Sequence, residues 1–274
     1  MREARSLDEV LDTLDLPGDG QVDRKRIVLQ PNQWSKFDPF LMMAEDWFTE
    51  PGFDWHPHRG METVTFVLSG KQRHGDSTGT SHVLETGDAQ WMTAGRGIIH
   101  QELAEGPAQV HSLQLWVNLP AKDKLTTPRF QDLRRATLPK REQNGALVTT
   151  YAGPSAATKV HSPISFFDVE LEAGGNASLE IAPAWRSILY VLEGAVEVGG
   201  RTLRDGQVGL SHPSERSQLA LSSTQRARVL VFSGLPLREP VAHRGPFVMN
   251  TPAQLDEAFA DFRAGRLAPW PAGR

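Results

Sequence analysis

The chain contains no cysteine. That absence excludes disulfides, thiolate metal ligands, iron–sulfur clusters and cysteine nucleophiles together, and it accords with a reducing compartment. No stretch is long and apolar enough to span a bilayer, and Met1-Arg2-Glu3-Ala4-Arg5 lacks the apolar run of a signal peptide. The expected location is cytoplasmic, with no membrane association. Runs of Lys and Arg are missing too. A formal charge of −4 and a pI near 6.1 leave no footprint for direct nucleic-acid binding. There is no nucleophile elbow, no phosphate-cradling glycine loop and no dinucleotide fingerprint.

What the chain does have is turns. Nineteen Pro and 24 Gly are spread over 274 residues, which implies many short elements rather than long helices. Strand-like stretches occur at 26–29, 37–45, 62–68, 81–84, 90–93, 98–103 and 112–117, separated by turn residues every 8 to 12 positions. That rhythm predicts an antiparallel barrel or sandwich. Lys71 to His74 reads as the return strand of a hairpin after Gly70. Residues 120–138 are polar and proline-bearing, and read as a connector. The same grammar resumes at 147–151, 164–171, 177–181, 187–192, 195–198, 207–210 and 227–232.

Phe66-Val67-Leu68-Ser69-Gly70 is echoed by Tyr190-Val191-Leu192-Glu193-Gly194, an offset of 124 positions, so two β-lobes of similar design are expected. The expected division is an N-terminal extension (1–25), a first lobe (26–120), a connector (121–145), a second lobe (146–267) and a tail (268–274). Two helices are expected. Ser6-Leu7-Asp8-Glu9 has the form of a capping box. Thr251-Pro252-Ala253-Gln254 offers an N-cap, Pro at N1 and Gln at N3 before Leu255, Phe259 and Phe262, with Gly265 as the stop.

The chemistry concentrates between Trp55 and Glu102. Trp55-His56-Pro57-His58-Arg59-Gly60 and Gly97-Ile98-Ile99-His100-Gln101-Glu102 each carry two metal-competent side chains at i and i+2. On a strand that spacing puts both on one face, about 6 to 7 Å apart. If the two strands are neighbours, His56, His58, His100 and Glu102 can converge on one metal ion. Imidazole and carboxylate suit Fe, Ni, Cu, Mn, Co or Zn, and no thiolate biases the site towards structural zinc. Glu62, four residues after His58, competes with Glu102 as the carboxylate ligand or supports the ligands by hydrogen bonding. Phe53, Trp55, Trp91 and Met92 are candidates to line an apolar pocket. His74 reads as a turn residue. At the repeat offset, His56 and His58 fall on Glu180 and Ala182, so the second lobe is expected to be metal-free.

Phe53-x-Trp55-His56-Pro57-His58-Arg59-Gly60-Met61-Glu62-Thr63 and the block from Gly87-Asp88-Ala89-Gln90-Trp91 to Gly97-Ile98-Ile99-His100-Gln101-Glu102 resemble the pirin family of the cupin superfamily. Gln114-Leu115-Trp116-Val117-Asn118-Leu119-Pro120 and Gly245-Pro246-Phe247-Val248-Met249-Asn250-Thr251 are similar to its pattern too. The resemblance implies an all-β bicupin, two jelly-roll barrels in one chain with a short C-terminal helix. It implies one metal, Fe(II) first, held in the N-terminal barrel by His56, His58, His100 and Glu102, and it favours Glu102 over Glu62. It implies a quercetinase-type dioxygenase acting on flavonols or small aromatic enols with dioxygen, with Glu102 as general base. The alternative it carries is an iron-binding, redox-sensitive regulator acting through a protein partner.

Overall fold

The computed structural model describes residues 4–49 and 52–270. Contacts divide the chain into two compact units. One holds residues 15–135 with the segment from 237 onward; the other holds 136–236 with the residues up to 14. Compact units built this way are not contiguous stretches of sequence, whereas the division expected above was. No described helix is long and apolar enough to cross a membrane.

The first unit is a jelly roll of ten principal strands: β1 (Arg24–Leu29), β2 (Phe40–Phe48), β3 (Phe53–His58), β4 (Met61–Ser69), β5 (Lys71–Asp76), β6 (Ser81–Glu85), β7 (Ala89–Thr93), β8 (Ile98–Ala104), β9 (Val110–Asn118) and β10 (Arg129–Leu133). One sheet runs β10, β7, β4, β9, β2, β1 to a short edge strand; the facing sheet runs β3, β8, β5, β6. Consecutive strands β4 and β5 lie in different sheets, so the expected hairpin at Gly70 is instead a corner. Gly70 has φ +82°, and a Cβ there would lie 2.6 Å from the Gln109 carbonyl oxygen. Its repeat partner Gly194 has φ +75° and the same close approach, 2.3 Å from the Arg226 carbonyl. The echo therefore marks one corner, repeated in each lobe, where only glycine fits without strain. β10 falls inside the expected connector: its backbone completes the ladder edge beside β7, which polar composition alone does not reveal.

The second unit repeats the two-sheet design. Its interior is filled by aliphatic side chains from both sheets, including Leu179, Leu189, Val191, Val196, Leu219 and Val229. The expected N-terminal helix is absent. Residues Glu9–Asp12 form a strand paired with Gln207–Ser211, and the Asp8 carboxylate accepts from the His212 backbone N–H instead of capping a helix. Leu7 is buried in this unit's core and Val10 packs against it. Tertiary pairing overrides a local capping signal whose worth is about 1 kcal/mol.

The C-terminal helix α1 (Pro252–Arg263) forms as expected, with Thr251 and Gln254 making the reciprocal capping box. Its apolar face packs with Phe247, Met249, Trp55 and Ile99 in one cluster, against the outer face of β3 and β8. Arg59 ties it down, donating to the Arg96 carbonyl (2.6 Å) and the Asp261 carboxylate (2.9 Å).

Candidate metal centre

β3 and β8 pair antiparallel with His100 opposite His56 and Ile98 opposite His58. The neighbouring-strand condition of the spacing argument is met, and the three imidazoles meet inside the barrel. Ring centroids are 4.3 Å apart for His56–His100 and 5.0 Å for His56–His58 and His58–His100. One nitrogen of each lies within 4.8 Å of the others. The register slips between His100 and Glu102, so that Glu102 faces Phe53. This bulge in β3 reverses the alternation: Phe53 turns inward with the two histidines, although it sits an odd number of residues from them.

Hydrogen bonds fix two of the rings. His56 Nδ1 bonds the Asp54 carbonyl at 2.7 Å, and His58 Nδ1 bonds the Pro246 carbonyl at 3.2 Å. With Nδ1–H donating, each Nε2 is left as an acceptor aimed at the common point. His58 Nε2 and both His100 nitrogens are buried without a protein partner. Burial lowers the His58 pKa to about 3 and holds His100 well below the usual imidazole range, so both rings stay neutral and able to ligate. Partnerless buried nitrogens are costly unless an ion or water completes them. The donor set and its protonation therefore fit a divalent transition metal.

Glu102 is buried on the same strand, and its carboxylate sits in a polar cradle. Oε1 accepts from Thr65 Oγ1 (2.7 Å) and Gln72 Nε2 (3.0 Å), and Oε2 accepts from Gln114 Nε2 (2.6 Å). Trp116 Nε1 in turn donates to Gln114 Oε1 (2.9 Å). Three of about four acceptor sites are taken, leaving one on Oε2. Thr65 and Gln114 reach it from the facing sheet, and Gln72 from the neighbouring strand β5. Glu102 groups within 4.8 Å with His100 and His74, and not with the complete His56–His58–His100 set. His74 is not a turn residue: it lies on β5, buried, opposite Glu102.

Glu62 belongs to neither ligand group among the described residues. It stands three positions from the inward-facing Thr65 on an unbroken ladder with β7, so it projects from the opposite face of β4. Its Oε1 accepts from Thr93 Oγ1 at 2.6 Å. Burial pushes its pKa up to about 7, against the opposing pull of Thr93 and the nearby Trp91 indole.

A cavity of about 270 Å³ opens beside the imidazoles, with His56, His58, Phe53, Met42, Ile27 and Trp116 among its walls. Of the four expected lining residues only Phe53 takes part. Trp55 points outward into the α1 cluster. Trp91 shares the outward face of Glu62, opposite Val64. Met92 is buried in a small cluster with Ala94, Ile98 and Phe130. Residue type suggested all four, but strand parity and the β3 bulge decide the face that Phe53, Trp55 and Trp91 take, while Met92, opposite Thr63 on the inward face, packs into its own cluster instead of the cavity wall. Sequence reading also missed Thr65, Gln72 and Gln114; for Thr65 and Gln114 the available signal was a polar side chain at an inward position of a largely apolar strand, whereas Gln72 sits on the polar strand Lys71–Asp76 and gave none.

Comparison with known proteins places this geometry in a family. The pirin model matches residues 23–117 and the pirin C-terminal cupin domain model matches 166–268. A pirin-like protein of Solanum lycopersicum is 38% identical over 260 residues, covering 91% of this chain and 88% of its own length. A Pseudomonas aeruginosa protein bearing a provisional quercetin 2,3-dioxygenase name is 40% identical over 250 residues, covering 85% and 88%. The crystal structure of a quercetin 2,3-dioxygenase from Acinetobacter baumannii superposes with a TM-score of 0.87 at 29% identity, covering 97% of this chain and 99% of that one. With both of its cupin lobes matched in order, the chain belongs to the pirin family.

Proposed function

We propose that the protein is a metal-dependent dioxygenase that cleaves flavonols such as quercetin with dioxygen, releasing carbon monoxide and a depside. The observation that carries this reading is the convergence of His56, His58 and His100, with the partnerless buried nitrogens of His58 and His100, beside a cavity walled by Phe53 and Trp116. His56, His58, His100 and Glu102 would hold one ion, Fe(II) by family resemblance. That ion would supply Lewis acidity towards the flavonol 3-oxygen and a path for electrons to dioxygen.

The chain's own residues supply the rest. Phe53, Met42 and Trp116 give the flat apolar walls an aromatic ring system needs and exclude water from the reacting oxygen. Glu102 would take the 3-hydroxyl proton as general base through the one acceptor site left on Oε2, the same site by which it would otherwise join the three imidazoles on the ion. Thr65, Gln72 and Gln114 keep that carboxylate in place while it does so. The Asp54 and Pro246 carbonyls hold the tautomers that present Nε2 of His56 and His58.

The test pairs elemental analysis with oxygen uptake on iron-loaded protein given quercetin. One metal per chain and stoichiometric oxygen and quercetin loss, abolished in Glu102→Ala, is the expected result. Consumption no greater than that of the Glu102→Ala control refutes the dioxygenase reading.

A further inference from the structure

The cavity floor is ruled in rows by strand register. Met42 of β2 lies opposite Trp116 of β9; Ile27, Ala44 and Gln114 form the next row; Lys25, Asp46 and Ser112 form the one beyond. The first row touches the metal site through Trp116, whose ring stands 5.3 Å from that of His58. The second touches it through the bond from Gln114 to Glu102. The third has no such link. It faces the Phe53 end of the cavity, where Lys25 Nζ lies 5.8 Å from the Phe53 ring centroid.

That third row holds an anomaly. Asp46 is 4% exposed, and its Oδ1 is buried with no hydrogen-bond donor. The nearest cation, Lys25 Nζ, stands 3.9 Å from that oxygen, beyond hydrogen-bond length, and is itself bonded to Asp19 Oδ2 at 3.1 Å. Both residues line the cavity. A buried carboxyl without a donor is destabilising, and such groups concentrate where a ligand completes them. Burial pushes the Asp46 pKa up to about 7, with Lys25 opposing and the Glu102 charge adding to the rise.

We infer that Lys25 and Asp46 form a recognition subsite for a phenolic hydroxyl at the end of the cavity away from the imidazoles. The hydroxyl would donate to Asp46 Oδ1 and accept from Lys25 Nζ, filling the 3.9 Å gap that the pair leaves open. A ligand carboxylate is the wrong chemistry there, because it would meet the Asp46 and Glu102 charges together. An apolar ring edge would leave Asp46 unpaired. The inference rests on the flavonol reading and sharpens it: ring hydroxyls beyond the 3-position become part of what the site reads.

The experiment is anaerobic calorimetry on metal-loaded protein, so that binding is measured without turnover. The probes are quercetin and 3-hydroxyflavone, which keeps the 3-hydroxyl and lacks every other. Wild-type protein is expected to bind quercetin at least about tenfold tighter, the scale of one hydrogen bond to a charged group. Asp46→Leu removes that preference by weakening quercetin alone, leaving 3-hydroxyflavone within about threefold. Asp46→Asn, which keeps an acceptor without the charge, gives an intermediate preference and serves if the Leu variant does not fold. Equal affinity in the wild type, or a preference that survives Asp46→Leu or is undiminished in Asp46→Asn, overturns the subsite and leaves the flavonol reading standing. Binding of neither probe overturns both.

Discussion

Glu62 offers the cleanest separation between a structural carboxyl and a metal ligand. It is fully buried, its Oε1 accepts from Thr93, and its Oε2 has no partner. Its folded pKa is raised to about 7 from an ordinary 4.5. Between those values the native state holds a proton that the unfolded chain releases. Its contribution to stability is therefore complete below about pH 4.5 and lost as pH rises through about 7. The shift corresponds to about 3 kcal/mol. Glu62→Gln keeps the shape and the acceptor for Thr93 while abolishing the titration. Urea unfolding of the metal-free protein at several pH values is the assay. The variant should match the wild type near pH 4.5 and exceed it by about 3 kcal/mol at pH 8. Taking the difference between the two proteins removes the parallel contribution of Asp46, which titrates in the same direction. Metal content should stay at the wild-type level. A pH-independent difference, or loss of the metal in Glu62→Gln, would refute the placement of Glu62 on the outer face.

Four further outcomes follow from the same geometry. His100→Ala removes the ring common to both potential ligand groups and should abolish metal binding, whereas Thr65→Val or Gln114→Leu, which strip one donor each from Glu102, should weaken it by about 10- to 100-fold; dialysis against a competing chelator measures both. Lys124→Met leaves the Gly60 carbonyl, Asn118 Oδ1 and the Val248 carbonyl without the buried ammonium that now joins them, and should cost about 3 kcal/mol in chemical denaturation. Gly60→Ala forces a Cβ to within 2.0 Å of the Val248 carbonyl oxygen at φ +79°; it should lower the melting temperature by several degrees and weaken metal binding through displacement of His58, while an unchanged melting temperature would contradict the close packing of that turn.

Much of this protein is legible in its sequence because its determinants are local or periodic. Alternating β-branched and aromatic residues between glycine turns specify short strands. A repeated glycine corner specifies the second lobe, and the i, i+2 pairs His56/His58 and His100/Glu102 specify two metal-competent faces. The Thr251–Gln254 cap specifies the start of the C-terminal helix, since every contact the cap needs lies within a single turn. Where a local signal competes with long-range pairing it loses, as Ser6 to Glu9 shows. That segment reads as a helix start, yet it joins a strand some 200 positions away, whose ladder satisfies more of its backbone than a cap could.

Only the tertiary structure decides which face a strand residue takes once register and bulges intervene. The β3 bulge turns Phe53 inward and leaves Trp55 on the outer face; ladder parity sends Glu62 and Trp91 away from the histidines. The carbonyl that orients His58 comes from Pro246, and the donors that hold Glu102 come from β4, β5 and β9. No spacing rule connects such residues, because strand pairing is long-range and each inward side chain is placed by a neighbour far along the chain. For the same reason Lys25 and Asp46 look like ordinary surface charges in the sequence. Folded together at one end of an apolar cavity, one of them is a buried carboxylate oxygen with nothing to accept from.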